Sequence, residues 1–245
     1  MYSRPATVVP TRNPIALAAG VALISAAACG GGDTAADAAV PDAAAPDAAA
    51  DAGSPDAWTP CPGALYFTVD YVDWDSTFDM FKGIAFATVT QVDAPSNVDE
   101  TSPNGRVELC LPPGSDADLL FEHADYLDLW FASDADVTAR GPITVRGLTP
   151  ARVQTLFAEQ LSLTYDPATA IVIARADRDD AIVDIGAAHD GAFPLADGYT
   201  LFANVDAAAR TTSVSVTAPG GAACDGRATI PIVAGAIAFA PYACP

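Results

Sequence analysis

The side chains that most often carry catalysis are few in this sequence of 245 residues. It has two histidines, His123 and His189, and neither occurs in a spacing that specifies a zinc site, such as His-Glu-x-x-His or Cys-x-x-Cys. It has no Gly-x-Ser-x-Gly nucleophile elbow and no phosphate-binding glycine loop. We therefore expect no enzyme activity, no cofactor and no metal. Glu122 with Asp125 is the pair that an unrecognised carboxylate-dependent hydrolase would use.

Two groups of aspartates could bind Ca²⁺, because this cation prefers oxygen ligands. Neither spacing matches an EF-hand or a repeat calcium loop, so a solvated acidic edge that discourages strand-to-strand aggregation is the favoured interpretation. Trp74 with Tyr71 could stack on a sugar, although aromatic residues in strands more often fill a core. The first group is Asp70, Asp73, Asp75 and Asp79, and the second is Asp177, Asp179, Asp180 and Asp184.

The five cysteines divide into one candidate for modification and four candidates for disulfides. An odd thiol is a liability in an oxidising compartment, so assigning Cys29 to a lipid leaves an even number that can pair. Four cysteines allow three pairings. We favour Cys224 with Cys244 and Cys61 with Cys110, because each bond then closes a loop inside one half of the folded region.

Residues 1–28 have the pattern of a bacterial export signal: two arginines, the apolar run from Ile15 to Ala28, and small residues before the cut. The run is shorter than the roughly 20 residues of a membrane span. With Cys29 next, the pattern resembles the lipobox of bacterial lipoproteins, whose cysteine receives a diacylglyceryl group. The small residues would also suit ordinary secretory cleavage, and cysteine parity favours the lipoprotein. Gly30 favours the outer membrane by analogy with enteric bacteria.

A spacer over residues 29–57 follows the signal. It consists almost entirely of Ala, Asp, Pro and Gly, which cannot bury enough apolar surface to offset the entropy of ordering. Its prolines and mutually repelling aspartates favour extended conformations, so it could reach roughly 85 Å when fully extended. We expect a disordered linker that separates a folded region from the membrane.

Residues 58–245 carry 25 acidic and nine basic side chains, a net charge of −16. Nucleic acid is an unsuitable partner, because its binding requires a basic face. The same charge argues against docking on an anionic membrane surface. We expect membrane contact through the lipid alone, and an envelope protein or a glycan as the partner.

Apolar residues in the folded region recur mostly with a period of two, and turn signals separate the runs. The runs that predict strands are 65–71, 83–91, 106–111, 119–132, 170–176, 199–205, 211–218 and 228–240. The pattern predicts an all-β fold of two Ig-like, antiparallel sandwiches over 58–148 and 169–245. A connector over 149–168 contains one helix, which begins at the cap Thr149 and runs to about Leu161. Its predicted buried face is Val153, Leu156, Phe157 and Leu161.

Two parts of this region share a scheme of a turn with glycine, an alternating strand and a Pro-Gly exit. The first contains the strand from Gly83 and the phrase 104–114, and the second contains the strand from Thr169 and the phrase 211–221. The scheme resembles the carboxypeptidase-regulatory-like, transthyretin-like family of sandwiches. That resemblance implies a support or adhesion role without catalytic residues.

These features together predict a lipid-anchored envelope protein that displays non-catalytic β-sandwich domains for binding or structural support. An accessory subunit of an envelope enzyme complex and the hydrolase named above are the alternatives. Loops are the preferred places for contact with a partner. We expect the binding surface to include Trp74, Asp75, Asp180 and Asp190.

Replacing Cys29 tests the anchoring prediction. The lipidated protein should partition into detergent and begin at Cys29, because multiple acyl chains bind a membrane far more firmly than one. Cys29→Ser should leave unprocessed precursor, as measured by mass spectrometry of membrane fractions. A variant that is still cleaved and released in soluble form would contradict the lipoprotein prediction.

Overall fold

The computed structural model describes Cys61, residues 63–77 and residues 80–245. The predicted signal peptide over residues 1–28, the lipidation site Cys29, the whole predicted spacer over residues 29–57, and Asp79 lie outside the described residues. In the described part the chain forms strands β1 (Leu65–Asp73), β2 (Thr88–Gln91), β3 (Val98–Glu100), β4 (Arg106–Leu111), β5 (Ala117–Glu122), β6 (Leu129–Ser133), β7 (Ile143–Gly147), β8 (Ala170–Ala176), β9 (Ile182–Ile185), β10 (Gly191–Pro194), β11 (Tyr199–Val205), β12 (Thr211–Thr217), β13 (Thr229–Pro231) and β14 (Ile237–Tyr242).

The strands form three sheets. The central sheet has eight strands in the order β10-β11-β8-β14-β6-β5-β2-β3. A second sheet has the order β4-β1-β7 and a third has the order β13-β12-β9. Most pairs are antiparallel, but β14 is parallel to both β6 and β8, and β1 is parallel to β7. The all-β prediction is confirmed.

Side chains of the central strands alternate between two cores. On β8, Ile171 and Ile173 belong to the first core, whereas Val172 and Ala174 belong to the second. The first core also contains buried residues of β1, β4 and β7, and the second contains those of β9, β12 and β13. The central sheet is therefore the middle layer of three, and its inner strands are continuous apolar runs because both of their faces are buried.

The predicted helix forms in the predicted place. It begins as α2 (Pro150–Thr155), where the Thr149 hydroxyl accepts a hydrogen bond from the backbone N–H of Arg152. It continues as a π-helical turn over Leu156–Leu161. The four residues predicted for its buried face all lie in the first core. A second, single-turn helix that the sequence analysis missed, α1 (Ala135–Thr138), follows β6.

The division into two separate sandwiches requires correction. Strands from 58–148 and strands from 169–245 share the central sheet, because β14 pairs with β6 on one side and with β8 on the other. All described residues also belong to one compact unit. Periodicity predicts that a segment is a strand, but it does not identify the strands with which it pairs, and the Ile237–Tyr242 run gives no local sign of a partner near residue 130.

Strand predictions succeeded where one strand lies between two turn signals. The predicted bounds of β4, β8 and β11 agree with the structure. The run 119–132 was predicted as one strand and is two, β5 and β6, and the run 228–240 is divided between β13 and β14. Strands β3, β7, β9 and β10 were missed, because short edge strands provide too few residues for a clear period.

Both favoured disulfides are confirmed. Cys61 is bonded to Cys110 across 49 residues, and Cys224 is bonded to Cys244 across 20 residues. The first bond ties the segment before β1 to β4, and the second ties the segment after β12 to the end of β14. None of the helices in the described part of the chain has the length and apolar character needed to cross a membrane.

Removal of each disulfide should lower the free energy of unfolding by an amount that grows with the logarithm of the number of residues in the closed loop. The chain-entropy relation gives about 4 kcal/mol for Cys61 with Cys110 and about 3 kcal/mol for Cys224 with Cys244. The double variants Cys61→Ala/Cys110→Ala and Cys224→Ala/Cys244→Ala should lower the free energy of unfolding in that order, measured by urea denaturation. The reverse order would show that chain entropy does not dominate at these bonds.

Candidate functional site

Part of the central sheet is not covered by the third sheet. Strand β13 contacts β6 and β14, and the neighbouring strands β5, β2 and β3 extend beyond it. A row of cross-strand neighbours therefore faces outward, from Val98 through Thr90 and Leu120 to Trp130. Val98 is 52% exposed, and the other three side chains are half-buried. Trp130 lies at the step where the third sheet ends and the open face begins.

Two adjoining hollows share Trp130 and Pro231, and we name them together the Trp130 cleft. The larger hollow has a volume of about 730 Å³ and extends toward the turn after β11, where Arg210 and Asp206 line it. The smaller has a volume of about 270 Å³ and extends toward β5, with Asp118 and further polar and apolar side chains. An aromatic side chain between polar groups, in a concavity of this size, is typical of a ligand site.

Three charged side chains lie together at the β5 end of the cleft. The Arg227 guanidinium donates hydrogen bonds to Asp116 at 2.8 Å and to Asp118 at 3.2 Å. The Asp118 Oδ1 atom is buried and accepts no hydrogen bond. Burial raises the pKa of the Asp118 carboxyl above its ordinary value, and the attraction of Arg227 opposes this shift without cancelling it. This carboxylate retains one acceptor atom without a partner, in a hollow that Trp130 also lines.

The opposite end of the cleft has a cation without a partner among the described residues. Arg210 follows a turn in which Asp206 accepts a hydrogen bond from the backbone N–H of Ala208 at 2.9 Å. Arg210 has a φ of +60°, in the left-handed region, and its backbone carbonyl accepts a bond from the N–H of Ile232. The turn thus places an exposed guanidinium and backbone groups within the same cleft as Trp130.

The cleft combines an aromatic surface with fixed donors and acceptors. The charged side chains at both ends could form charge-assisted hydrogen bonds with hydroxyl or amide groups of a ligand. Trp130 and Pro231 could contact the apolar parts of the same ligand. The residues that line it include no cysteine, histidine, serine or lysine.

The sequence analysis predicted a binding surface elsewhere. Trp74 is half-buried, packs on the first core, and lines a separate hollow of about 200 Å³ with Arg146. Asp75 forms a bidentate ion pair with Arg152 of α2, with a shortest distance of 2.8 Å. Asp75 therefore attaches the loop after β1 to the helix. Trp74 attaches the same loop to β7, because its N–H donates to the Gly147 carbonyl and its own carbonyl accepts a hydrogen bond from Arg146.

The other two predicted surface residues are also engaged within the chain. Asp180 pairs with Arg178 at 2.5 Å, and this contact lowers the pKa of its carboxyl. Asp190 accepts a hydrogen bond from the Asn204 amide at 2.7 Å. Among the described residues, no hydrogen bond or ion pair joins the four predicted surface residues to one another.

The described members of the two aspartate groups are not gathered around a common point. In the first group, Asp70 pairs with Arg106 at 2.8 Å and Asp73 accepts a hydrogen bond from the Tyr126 hydroxyl at 2.8 Å. In the second, Asp177 accepts a bond from the N–H of Cys244, while Asp179 and Asp184 are exposed. No group of three potential metal ligands occurs among the described residues.

The remaining candidates lie apart from the Trp130 cleft. Glu122 ends β5, Asp125 lies in the turn after it, and both are exposed. The His123 Nδ1 accepts a hydrogen bond from the N–H of Asp125, and its ring contacts Tyr126 edge-on. His189 contacts Phe202 in the same manner. Both histidines have structural contacts of the kind expected for surface residues.

The residues of the cleft come from six parts of the sequence, and the sequence analysis selected none of them. Trp130 lies in the run 119–132, which the sequence predicts as one long strand, and Asp118 directly precedes that run. The turn between β5 and β6, which brings both residues to the same hollow, was therefore hidden. One local signal was available. Asp118 and Trp130 interrupt strands whose other residues are mostly apolar, and a polar or large amphipathic residue in such a strand often marks a special surface.

Comparison with known proteins adds only a distant structural similarity. No protein-family model and no curated protein matches this chain. A solved structure described as "The Bacillus anthracis TIE protein" has 10% sequence identity and a TM-score of 0.24, and the match covers 73% of this chain and 33% of that chain. The chain thus spans about a third of the length of that structure. At this TM-score the match carries no argument.

Asp118 makes a specific contribution to the pH dependence of stability. Because its pKa is raised from 3.8 in the folded protein, the folded state binds this proton more tightly than the unfolded state does. The stability that this bound proton contributes is fully present below the pKa of the unfolded state, and it is lost as the pH rises through the raised pKa of the folded state. The free energy of unfolding of the wild type minus that of Asp118→Asn should fall over this window, measured by urea denaturation. A difference that rises with pH would mean that attraction to Arg227 outweighs burial.

Proposed function

We propose that this chain is a lipid-anchored protein of the bacterial cell envelope that displays a non-catalytic β module for binding, and that the module binds glycans at the Trp130 cleft. In this proposal Cys29 carries the lipid and residues 29–57 provide the reach. The resemblance to carboxypeptidase-regulatory-like domains agrees with this role, since that family binds or supports without catalytic residues.

The position of Trp130 is the observation that carries the proposal. Its side chain is half-buried on the outward face of β6, so one part is fixed by packing and another faces the cleft. An indole ring offers a large, rigid apolar surface at low entropic cost. A pyranose ring has an apolar face of C–H groups and a rim of hydroxyls, and the indole suits the face.

The polar groups around Trp130 suit the rim of the same sugar. The Asp116, Asp118 and Arg227 group provides charged acceptors and donors whose positions are fixed by their mutual hydrogen bonds. Thr211 and Thr229 add hydroxyls at the same end of the cleft. A site that offers both donors and acceptors at fixed positions favours a neutral ligand with many hydroxyls, because each hydroxyl both donates and accepts hydrogen bonds.

The open sheet face beside the cleft favours an extended glycan over a single sugar. Leu120 and Thr90 continue the surface from Trp130 across β5 and β2, at the spacing of about 4.8 Å between strands. A chain of several sugar units could therefore contact Trp130 and the neighbouring strands together. The strong negative charge of the folded region also disfavours polyanionic glycans as ligands.

Tryptophan substitution separates this proposal from its alternatives. The full chain in detergent should bind neutral oligosaccharides, with chito- and cello-oligosaccharides of increasing length as probes in calorimetric titration. Trp130→Ala should weaken binding at least tenfold, or by about 1.4 kcal/mol, because the substitution removes the rigid apolar surface on which the sugar would stack. Trp130→Phe should retain part of the affinity.

Trp74→Ala is the matched control, because Trp74 is also half-buried but lies outside the cleft. It should leave glycan affinity unchanged where the protein remains folded, as checked by near-UV circular dichroism. Loss of binding in Trp74→Ala with none in Trp130→Ala would contradict the proposed site. Turnover of the oligosaccharides that disappears in Glu122→Gln or Asp125→Asn would favour the hydrolase alternative.

A further inference from the structure

Another hollow lies at the end of the central sheet where β6, β8 and β14 all terminate. Its volume is about 210 Å³, and it lies between α1 and the start of β7. Arg140 and Arg175 line it together with the apolar side chains of Val137, Ile143 and Pro241. It shares no lining residue with the Trp130 cleft.

Pro241 explains why there is space at this end of the sheet. Backbone groups of Ala236 and Tyr242 bond toward β8, and the N–H of Ile237 bonds toward β6, so by alternation the Pro241 nitrogen lies on the β6 side. Proline has no N–H to donate, and pairing of β14 with β6 accordingly ends at Phe239. Beyond that point β6 turns away into α1, and a gap opens.

Arg175 is directly opposite Pro241 on β8, and its side chain is incompletely satisfied. The Nε atom is buried and has no hydrogen-bond partner, and no ion pair to Arg175 occurs among the described residues. Its guanidinium lies 5.4 Å from the centre of the Tyr199 ring. Arg146 lies 5.6 Å from the same ring, but its Nη1 donates to the carbonyls of Trp74 and Ser76. Two arginines thus approach the same ring, and only Arg146 has hydrogen-bond acceptors.

The unsatisfied state of Arg175 contrasts with that of five other arginines in the described part of this acidic chain. Aspartate carboxylates bind Arg106, Arg140, Arg152, Arg178 and Arg227. A buried donor without an acceptor is unfavourable, because it has lost its hydration without replacement. The missing acceptor at Arg175 is therefore a position that a ligand could fill.

The charges that line the hollow are positive in balance. Arg140 and Arg175 provide two cations, and Asp177 provides one anion. One oxygen of Asp177 already accepts a hydrogen bond from the N–H of Cys244 at 2.9 Å. Arg140 pairs with Asp225 through one nitrogen at 2.8 Å, which leaves its other donors available.

We infer that this hollow binds a carboxylate through Arg175, assisted by Arg140. The planar guanidinium fork matches the two oxygens of a carboxylate, and a carboxylate bound there would place a charged acceptor beside Nε. The apolar walls suit a short aliphatic group attached to the carboxylate. A small organic acid and the C-terminus of a polypeptide share this chemistry. The site is independent of the proposed glycan binding.

The Nε–Hε resonance of Arg175 provides a direct measurement. In the full chain in detergent, NMR titration with sodium butyrate should shift this resonance saturably, whereas butyramide or sodium chloride at equal ionic strength should not. Acetyl-trialanine with a free C-terminus and its C-terminal amide form the second arm. Tighter binding of the free peptide than of butyrate would assign the site to chain ends, and the opposite order would assign it to small acids.

Variants at three arginines complete the test. Arg175→Gln should abolish the saturable shifts of neighbouring amides, and Arg140→Gln, at an exposed position, should weaken binding severalfold while the fold is retained. Arg178→Gln removes a nearby arginine that does not line the hollow and should leave binding unchanged. The inference is overturned if neither acid shifts the resonance, if the amides bind as well as the acids, or if Arg140→Gln and Arg178→Gln behave alike.

Discussion

The position of the last strand is the constraint on which the rest of the structure depends. β14 pairs in parallel with β6 from the first half of the folded region and with β8 from the second. All six of its residues are buried. Without this insertion the central sheet would be two unconnected sheets, each with an exposed edge. Ile237 and Phe239 face one core and Ala238 and Ala240 face the other, so this strand also joins the two hydrophobic layers.

The positions of both candidate sites depend on where the packing and pairing of β14 and its neighbours end. The third sheet lies over β14 and β8 and ends near β6, so Trp130 marks the step at which the central sheet becomes exposed. At the other end, Pro241 terminates pairing with β6 and leaves Arg175 next to a gap. One site lies on a face of the sheet and the other at its end, and each occurs where regular pairing or layer packing stops.

Much of the local structure could be predicted from the sequence, because local patterns determine it. The cap at Thr149 and the spacing of Val153, Leu156 and Phe157 predicted the helix and its buried face, and cysteine positions predicted both disulfides. The sheet topology and the Trp130 cleft could not be predicted. They depend on contacts between residues about 100 positions apart, such as Trp130 with Ala238, and strand periodicity contains no information about such partners.

Native-state hydrogen exchange of the full chain tests most directly whether β14 unites the two halves. If it does, the slowest amides of β5 and β6 and those of β8 and β11 should open together, with the same free energy and the same dependence on denaturant, because none of them can be released without breaking the central sheet. Amides of β14 should belong to that same group. Two groups with separate opening free energies, one for each half of the chain, would contradict the account.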